Sequence, residues 1–230
     1  NTQKEQIATQ LPLLKNLLLS TLDKTFFFNE LGRYIQDIYA FDHVMLFEAH
    51  EDGSAALIVK NGKALEAEQF IAKGKGLVGY VNRTKRAYYS NNIKRDPLFS
   101  DATYDLDINA ELSVPVIINN VVFATIHLQS TNATRNFGQD EINLLNDLIK
   151  SLEKPLSNLK MYLSSKQLNE ILMQKIEKQE KELENSNHQP VKAQASAAVV
   201  RPIIGNSTPI CKILKKKKKV APTDASILIE

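Results

Sequence analysis

ELSVPVIINNVVFATIHLQSTNATRNFGQDEINLLNDLIKSL, residues 111–152, is the stretch from which the rest of the chain is read. Two apolar runs, 112–118 and 121–128, are rich in Val and Ile and flank Asn119 and Asn120. β-Branched side chains suit a pleated, half-buried strand, and asparagine tolerates the left-handed backbone of a tight turn. The spacing therefore predicts a β-hairpin. Along its second strand successive side chains take opposite faces. Val122, Ala124, Ile126 and Leu128 fall on one side, and Phe123, Thr125, His127 and Gln129 on the other. The first set suits packing under helices, and the second, more polar set suits the wall of a cavity. From Gln139 or Asp140 the period becomes helical, with no convincing stop before about Asn185.

Upstream, Ile7, Leu11, Leu14, Leu18 and Leu22 recur three or four residues apart, as in an amphipathic helix. A second helix over 27–39 places Phe27, Leu31, Tyr34, Ile35 and Ile38 on one face. Short apolar runs at 44–47 and 55–59, parted by Glu51, Asp52 and Gly53, read as another hairpin. GKGLVGYVNRTKRA (74–87) reads as a short helix entered through glycines. Tyr88 and Tyr89 follow as a strand, then the polar loop NNIKRDPLFSDATYD. Strands gathered in the middle and helices at both ends predict an α+β fold: a central antiparallel sheet with the N- and C-terminal helices on one face.

The terminal helix carries a further signal. Leu145, Ile149, Leu152, Leu156, Leu159 and Leu163 are spaced as a heptad seam, and after a register shift near Lys166 the stripe resumes as Leu168, Leu172, Ile176 and Leu183. The expectation is a parallel coiled-coil dimer built on Leu145, Ile149, Leu152, Leu156, Leu159, Leu163, Leu168 and Leu172, against the plainer reading of a solvated, charged helix. Pro155 is expected to kink it, because proline lacks a backbone donor and crowds the preceding turn. The organisation follows: an N-terminal helix at 1–24, a globular domain at 25–160, a coiled-coil helix at 161–185, a Ser/Ala/Gln linker at 186–202, and a new segment at 203–230.

Composition bounds the function. Of 230 residues 43% are apolar and 24% charged, an ordinary globular balance that argues against disorder and fibrous repeats. No apolar run approaches the length of a membrane span, and no basic-then-apolar signal peptide opens the chain. The lone Cys211 makes neither an internal disulfide nor a CxxC metal site, so a cytoplasmic location is expected. The net charge of +3 comes from the tail. Residues 201–230 hold seven basic and two acidic side chains, leaving 22 basic against 24 acidic before them. A near-neutral body lacks the clustered basic face of a nucleic-acid binder. Lys215 to Lys219 point all around a helix and read as a solvated stretch.

Two segments resemble known families. GKGLVGYV, the loop IKRDPLFSDA and the opening stretch are together similar to a GAF domain, over residues 25–161. The features that carry this are a strand ending in Val114–Pro115, a turn, a Gly-or-Ala-containing strand ending near Ser130, and Phe137 just before an acidic helix start. The segment IIGNSTPICKILKKKKKVAPTDASILIE (203–230) resembles the opening of the AAA+ ATPase domain of bacterial sigma-54-dependent transcription activators, also called enhancer-binding proteins. There this pattern leads into a phosphate-binding loop. No G-x-x-x-x-G-K-[ST] occurs in the present residues, so no ATP site and no ATPase activity are expected. The chain opens on Asn1 and closes on strand-like SILIE, which reads as an excised fragment truncated at the start of that domain.

These resemblances imply a regulatory sensor fragment. A GAF domain would sense a small molecule and control a downstream ATPase through a dimeric helix, with sigma-54 RNA polymerase and DNA contacted outside these residues. A ligand-free GAF scaffold for dimerisation and protein interaction stays open as the alternative. The candidate ligand-binding residues are Tyr80, Tyr88, Tyr89, Arg95, Phe99, Asp101 and Tyr104 from the helix and loop, and Phe123, Thr125 and His127 from the strand. The competing reading makes them a second hydrophobic layer with His127 hydrogen-bonded inside it. The cofactor is unknown. A covalent bilin is excluded because the GAF-like region has no cysteine, and the asparagine-lysine-phenylalanine signature of cyclic-nucleotide-binding relatives is missing. No nucleophile and base are placed to converge, and His43, His50, His127 and His188 make no metal-ligand spacing, so neither an enzyme nor a metal site is expected.

Overall fold

A computed structural model describes residues 2–96, 107–132 and 135–187. The candidate residues Phe99, Asp101 and Tyr104, together with His188, most of the linker and the whole of 203–230, lie outside the described residues. Residues 1–174 form one compact unit, and 175–230 a second, of which the helix up to residue 187 is described.

Helix α1 (Thr2–Leu19) buries Leu14 and Leu18, with Ile7 and Leu11 packed beside them; Leu22 lies past its end and is exposed. Helix α2 (Lys24–Tyr39) starts at an Asp23 cap, whose Oδ1 accepts the Phe26 amide at 2.7 Å. Its apolar face, from Phe27 to Tyr39, is the centre of the core. Gly32 lets this helix press onto the sheet, since a Cβ there would stand 3.0 Å from Val59 Cγ1.

Six antiparallel strands follow: β1 (His43–Ala49), β2 (Ala55–Lys60), β3 (Lys63–Ile71), β4 (Tyr88–Ser90), β5 (Ala110–Ile118) and β6 (Val121–Ser130). Their order is β3-β2-β1-β6-β5-β4. The expected hairpins are present, and Asn119 and Asn120 both adopt positive φ (51° and 61°) between β5 and β6. Pro115 is tolerated inside β5 because β4 pairs only with Glu111 to Ser113, leaving the outer side of Pro115 without a ladder partner. Strand β3 is not anticipated by the apolar pattern. It is joined to β2 by Asn61 and Gly62, both at positive φ.

The even-numbered side chains of β5, from Ala110 to Ile118, meet the helices together with Ala124, Ile126 and Leu128 of β6. Helix α3 (Gly76–Thr84) covers the opposite face, where its Val78 packs on Met45, Phe47, Ala55 and Leu57. The α+β fold with an antiparallel sheet and helices is as expected.

The C-terminal helix departs from expectation in two ways. It is two helices, α4 (Gln139–Ser151) and α5 (Glu153–Asn187), broken at Leu152. The break lies three residues ahead of Pro155. That proline cannot donate to the carbonyl of Ser151 four residues back, and it sits in the first turn of α5, where no donor is needed. The heptad seam is also largely spent within the chain. Leu145, Leu152, Leu156 and Leu159 are buried in the domain's own core, and Ile149 and Leu163 are packed against it. The dimer assignment is corrected for Leu145, Leu152, Leu156 and Leu159, because a side chain already buried against its own sheet has no surface left for a partner; Ile149 and Leu163 are partly buried. Leu168 and Leu172 are exposed, as are all described side chains from Ser164 to Leu183.

Candidate functional site

The face of the sheet opposite the terminal helices carries a polar strip. In antiparallel pairing, residues directly opposite share a face. The register places Tyr88, Ser113, His127 and Met45 in one row across four strands. Pro115, Thr125 and Phe47 form the row on one side, and Ser90, Glu111, Gln129 and His43 the row on the other. Ser113, Thr125 and His127 are all buried.

Hydrogen bonds tie the strip together. His127 Nδ1 bonds Ser113 Oγ at 2.7 Å, and Gln129 Nε2 donates to Glu111 Oε1 at 2.7 Å. The same carboxylate oxygen stands 3.8 Å from His127 Nε2. Burial pushes the His127 imidazole below its ordinary value and outweighs Glu111, which acts in the opposite direction. The ring is therefore neutral at pH 7. At the far end Thr125 Oγ1 donates to Asn82 Oδ1 of α3, while the buried Asn82 Nδ2 has no hydrogen-bond partner.

Aromatic rings border this strip. Phe47 meets the His127 ring edge-on at 6.0 Å, and Tyr80 meets Tyr88 at 5.2 Å. The Tyr88 hydroxyl donates to Asp96 Oδ2 at 3.1 Å; burial first, and then this bond, raise the phenol above its usual range. Helix α3 is held close by its glycines. Gly74 and Gly76 adopt positive φ at its entrance, and a Cβ on Gly79 would lie 2.8 Å from the Gly74 carbonyl carbon.

Of the ten candidate residues, Tyr80, Tyr88, Thr125 and His127 come together here. Phe123 does not. The pairing jumps from Val116–Ala124 to Ile117–Val122, so Phe123 is a bulge residue and turns to the helix face, 5.9 Å from Phe28. Tyr89 points away from Tyr88, pairs with Leu112 of the helix-side set and is exposed. Arg95 is exposed on a single 3-10 turn. Sequence reading missed Glu111, Ser113, Phe47 and Asn82. The first two were legible, since Glu111, Ser113 and Pro115 alternate with Leu112, Val114 and Val116. Asn82, on a helix far along the chain from Thr125, gave no such signal. Among the described residues no three His, Cys, Asp or Glu side chains converge as a metal site.

A glycine-entered α3 over the second face, the Val-Pro strand and Phe137 buried just before α4 belong to one pattern. The GAF domain model (GAF_2) matches residues 23–152. The chain belongs to the GAF domain family. Its GAF fold is shared by the GAF domain of an Acinetobacter phosphoenolpyruvate-protein phosphotransferase, at TM-score 0.57 and 17% identity over 71% of this chain and 98% of that one. It is also similar to the free methionine-R-sulfoxide reductase of Neisseria meningitidis, solved with its substrate (TM-score 0.56, 14% identity, 66% and 89% covered). The GAF domain of A. aeolicus nlh2, in an inactive state, is similar at TM-score 0.52 and 13% identity, with 70% and 98% covered. At such identities the likeness is one of fold. No curated protein matches the chain. Among the described residues no helix is long and apolar enough to cross a membrane.

Proposed function

We propose that this GAF domain is the sensing part of a cytoplasmic sigma-54-dependent transcription activator, and that the strip centred on His127 holds its small-molecule signal. The sigma-54 context is supported by the resemblance of residues 203–230 to the opening of that ATPase domain. Binding is supported by one observation above the others: a buried polar row beneath α3, bordered by aromatic rings, that leaves Asn82 Nδ2 without a partner. A folded domain that buries polar groups opposite its main core loses stability unless something uses them. The exposed apolar stripe of α5 beyond Leu163, with Leu168 and Leu172, is the part of the seam that would pair with a second copy.

The reading is regulatory and not catalytic. Reducing a sulfoxide takes two electrons, which among side chains a thiol supplies, and residues 23–152 contain no cysteine. The scaffold alternative has one observation in its favour: His127 and Thr125 already have protein partners. Native mass spectrometry of the chain beside a denatured control decides between the two. A dimer carrying a small mass lost on denaturation is expected. A dimer with no added mass would favour the scaffold, and a monomer at micromolar concentration would remove the coiled coil.

A further inference from the structure

The strip has an uneven charge. Glu111, with its side chain 14% exposed, accepts one bond from neutral Gln129. Among the described residues no Lys or Arg forms an ion pair with it; the lysine and arginine pairs lie at Glu48, Glu30, Glu182 and Glu177. His127 beside it carries no compensating charge at pH 7. A carboxylate withdrawn this far from water is normally matched by a cation. At the opposite end stands a buried donor with nothing to donate to, Asn82 Nδ2. Between them stand the Tyr88 ring, edge-on to Tyr80, and the His127 ring, edge-on to Phe47. From Thr125 to Gln129 the strip extends about 13 Å, four residues at strand rise.

We propose that this strip takes a cationic, ring-bearing small molecule whose N–H groups meet the Glu111 carboxylate and whose acceptor meets Asn82 Nδ2, and that it discriminates against carboxylates and phosphates. The proposal rests on the sensor reading and names the charge class of its ligand. An anion in the same place would face Glu111 across a poorly screened gap, where among the described residues no Lys or Arg pairs with that carboxylate and Arg83 stands over the Tyr80 ring at the border of the strip.

Benzamidine, benzamide and benzoate share one planar frame and differ in charge, so they isolate this effect. Each is titrated into the full chain while the His127 ring and Asn82 side-chain resonances are followed by NMR. Benzamidine should bind at least about tenfold more tightly than benzoate, the contribution of a single charge-assisted hydrogen bond. Glu111→Gln keeps the size and the Gln129 contact; it should bring that ratio close to one, chiefly by weakening benzamidine. If the variant does not fold, the wild-type series alone decides. Benzoate binding as tightly as benzamidine, or a ratio untouched by Glu111→Gln, overturns the charge assignment. An anionic mass found on the purified chain would overturn it too, with the sensor reading intact. A chain without added mass that binds none of the three probes overturns both.

Discussion

Leu156 tests whether the leucine seam holds the domain together or holds two copies together. It is 1% exposed, one turn into α5, in the cluster that includes Leu152 and Leu159. Replacing it with alanine removes three carbons from a filled site and leaves a cavity, at a cost of about 3 kcal/mol for a fully buried leucine. In a domain of this size each kcal/mol moves the midpoint by about 2–4 °C, so Tm should fall by roughly 6–12 °C. The matched control is Leu168→Ala, one face of the same helix and 56% exposed, which should change the domain's own stability by no more than about 0.5 kcal/mol. Circular dichroism melts across about a hundredfold range of concentration separate the two roles, because a dimer's midpoint depends on concentration and an isolated fold's does not. Leu156→Ala should lower Tm equally at every concentration. A Leu156→Ala protein that melts like wild type but sediments as a monomer would refute the reasoning, and would return Leu156 to the interface.

Gly79→Ala should destabilise by about 1–3 kcal/mol even though alanine favours a helix by up to about 1 kcal/mol, since its Cβ would meet the Gly74 backbone at 2.8 Å. Gly74→Ala meets no atom but must hold φ +71°, and should cost only about 1 kcal/mol; chemical denaturation ranks the pair. His127 is depressed by burial, so the unfolded chain takes up its proton first. Stability should be fully present above about pH 6.5 and decline as pH falls toward the lower folded value. His127→Gln should flatten that limb of a stability–pH curve. Asp42 is lowered chiefly by the Ser130 hydroxyl, and also accepts the Thr131 amide. Its contribution should be lost only as pH falls below the ordinary aspartate value, and an acid titration of Asp42→Asn should lack this transition.

The sequence announced its fold where period and turn chemistry agreed. Leu112 to Leu128 alternate around an Asn-Asn turn, and α1 and α2 repeat every three to four residues. Strand β3 escaped because KALEAEQ is composed largely of good helix formers. The strand is held by its ladder to β2 at the sheet edge, where tertiary pairing overrides propensity. The Asn61-Gly62 turn was the readable signal, an Asn-Gly pair being the strongest short hairpin mark. Along β6, alternation put Thr125 and His127 on the face away from the terminal helices, where they lie, and misplaced Phe123, since one bulge reverses the face of the residue it releases. The leucine seam misled for a physical reason: a 3-4 spacing specifies a buried stripe and not whose surface buries it.

If the strip holds a ligand as proposed, the division of the sheet would constrain how a signal leaves it. Strand β6 lies between β1 and β5, with Thr125 and His127 on one face and Ile126 and Leu128 locked in the core on the other. Moving β6 to suit a ligand would disturb a close-packed core, which resists small displacements. Helix α3 and the three-residue edge strand β4 contribute no side chain to that core cluster. Strand β4 also reaches the helices by the shorter route. Just past its end, Asn91 accepts the Phe137 amide on Oδ1 at 2.7 Å and donates Nδ2 to the Phe137 carbonyl at 2.9 Å. The next residue, Gly138, is the N-cap of α4, its amide held by Glu141 at 2.8 Å. Tyr88 on the strip is thus three residues from the clamp that positions the first turn of α4, and α4 ends at the Leu152 break from which α5 departs. The broken helix, with its core leucines on both sides of the break, is the element whose packing such a displacement would bias.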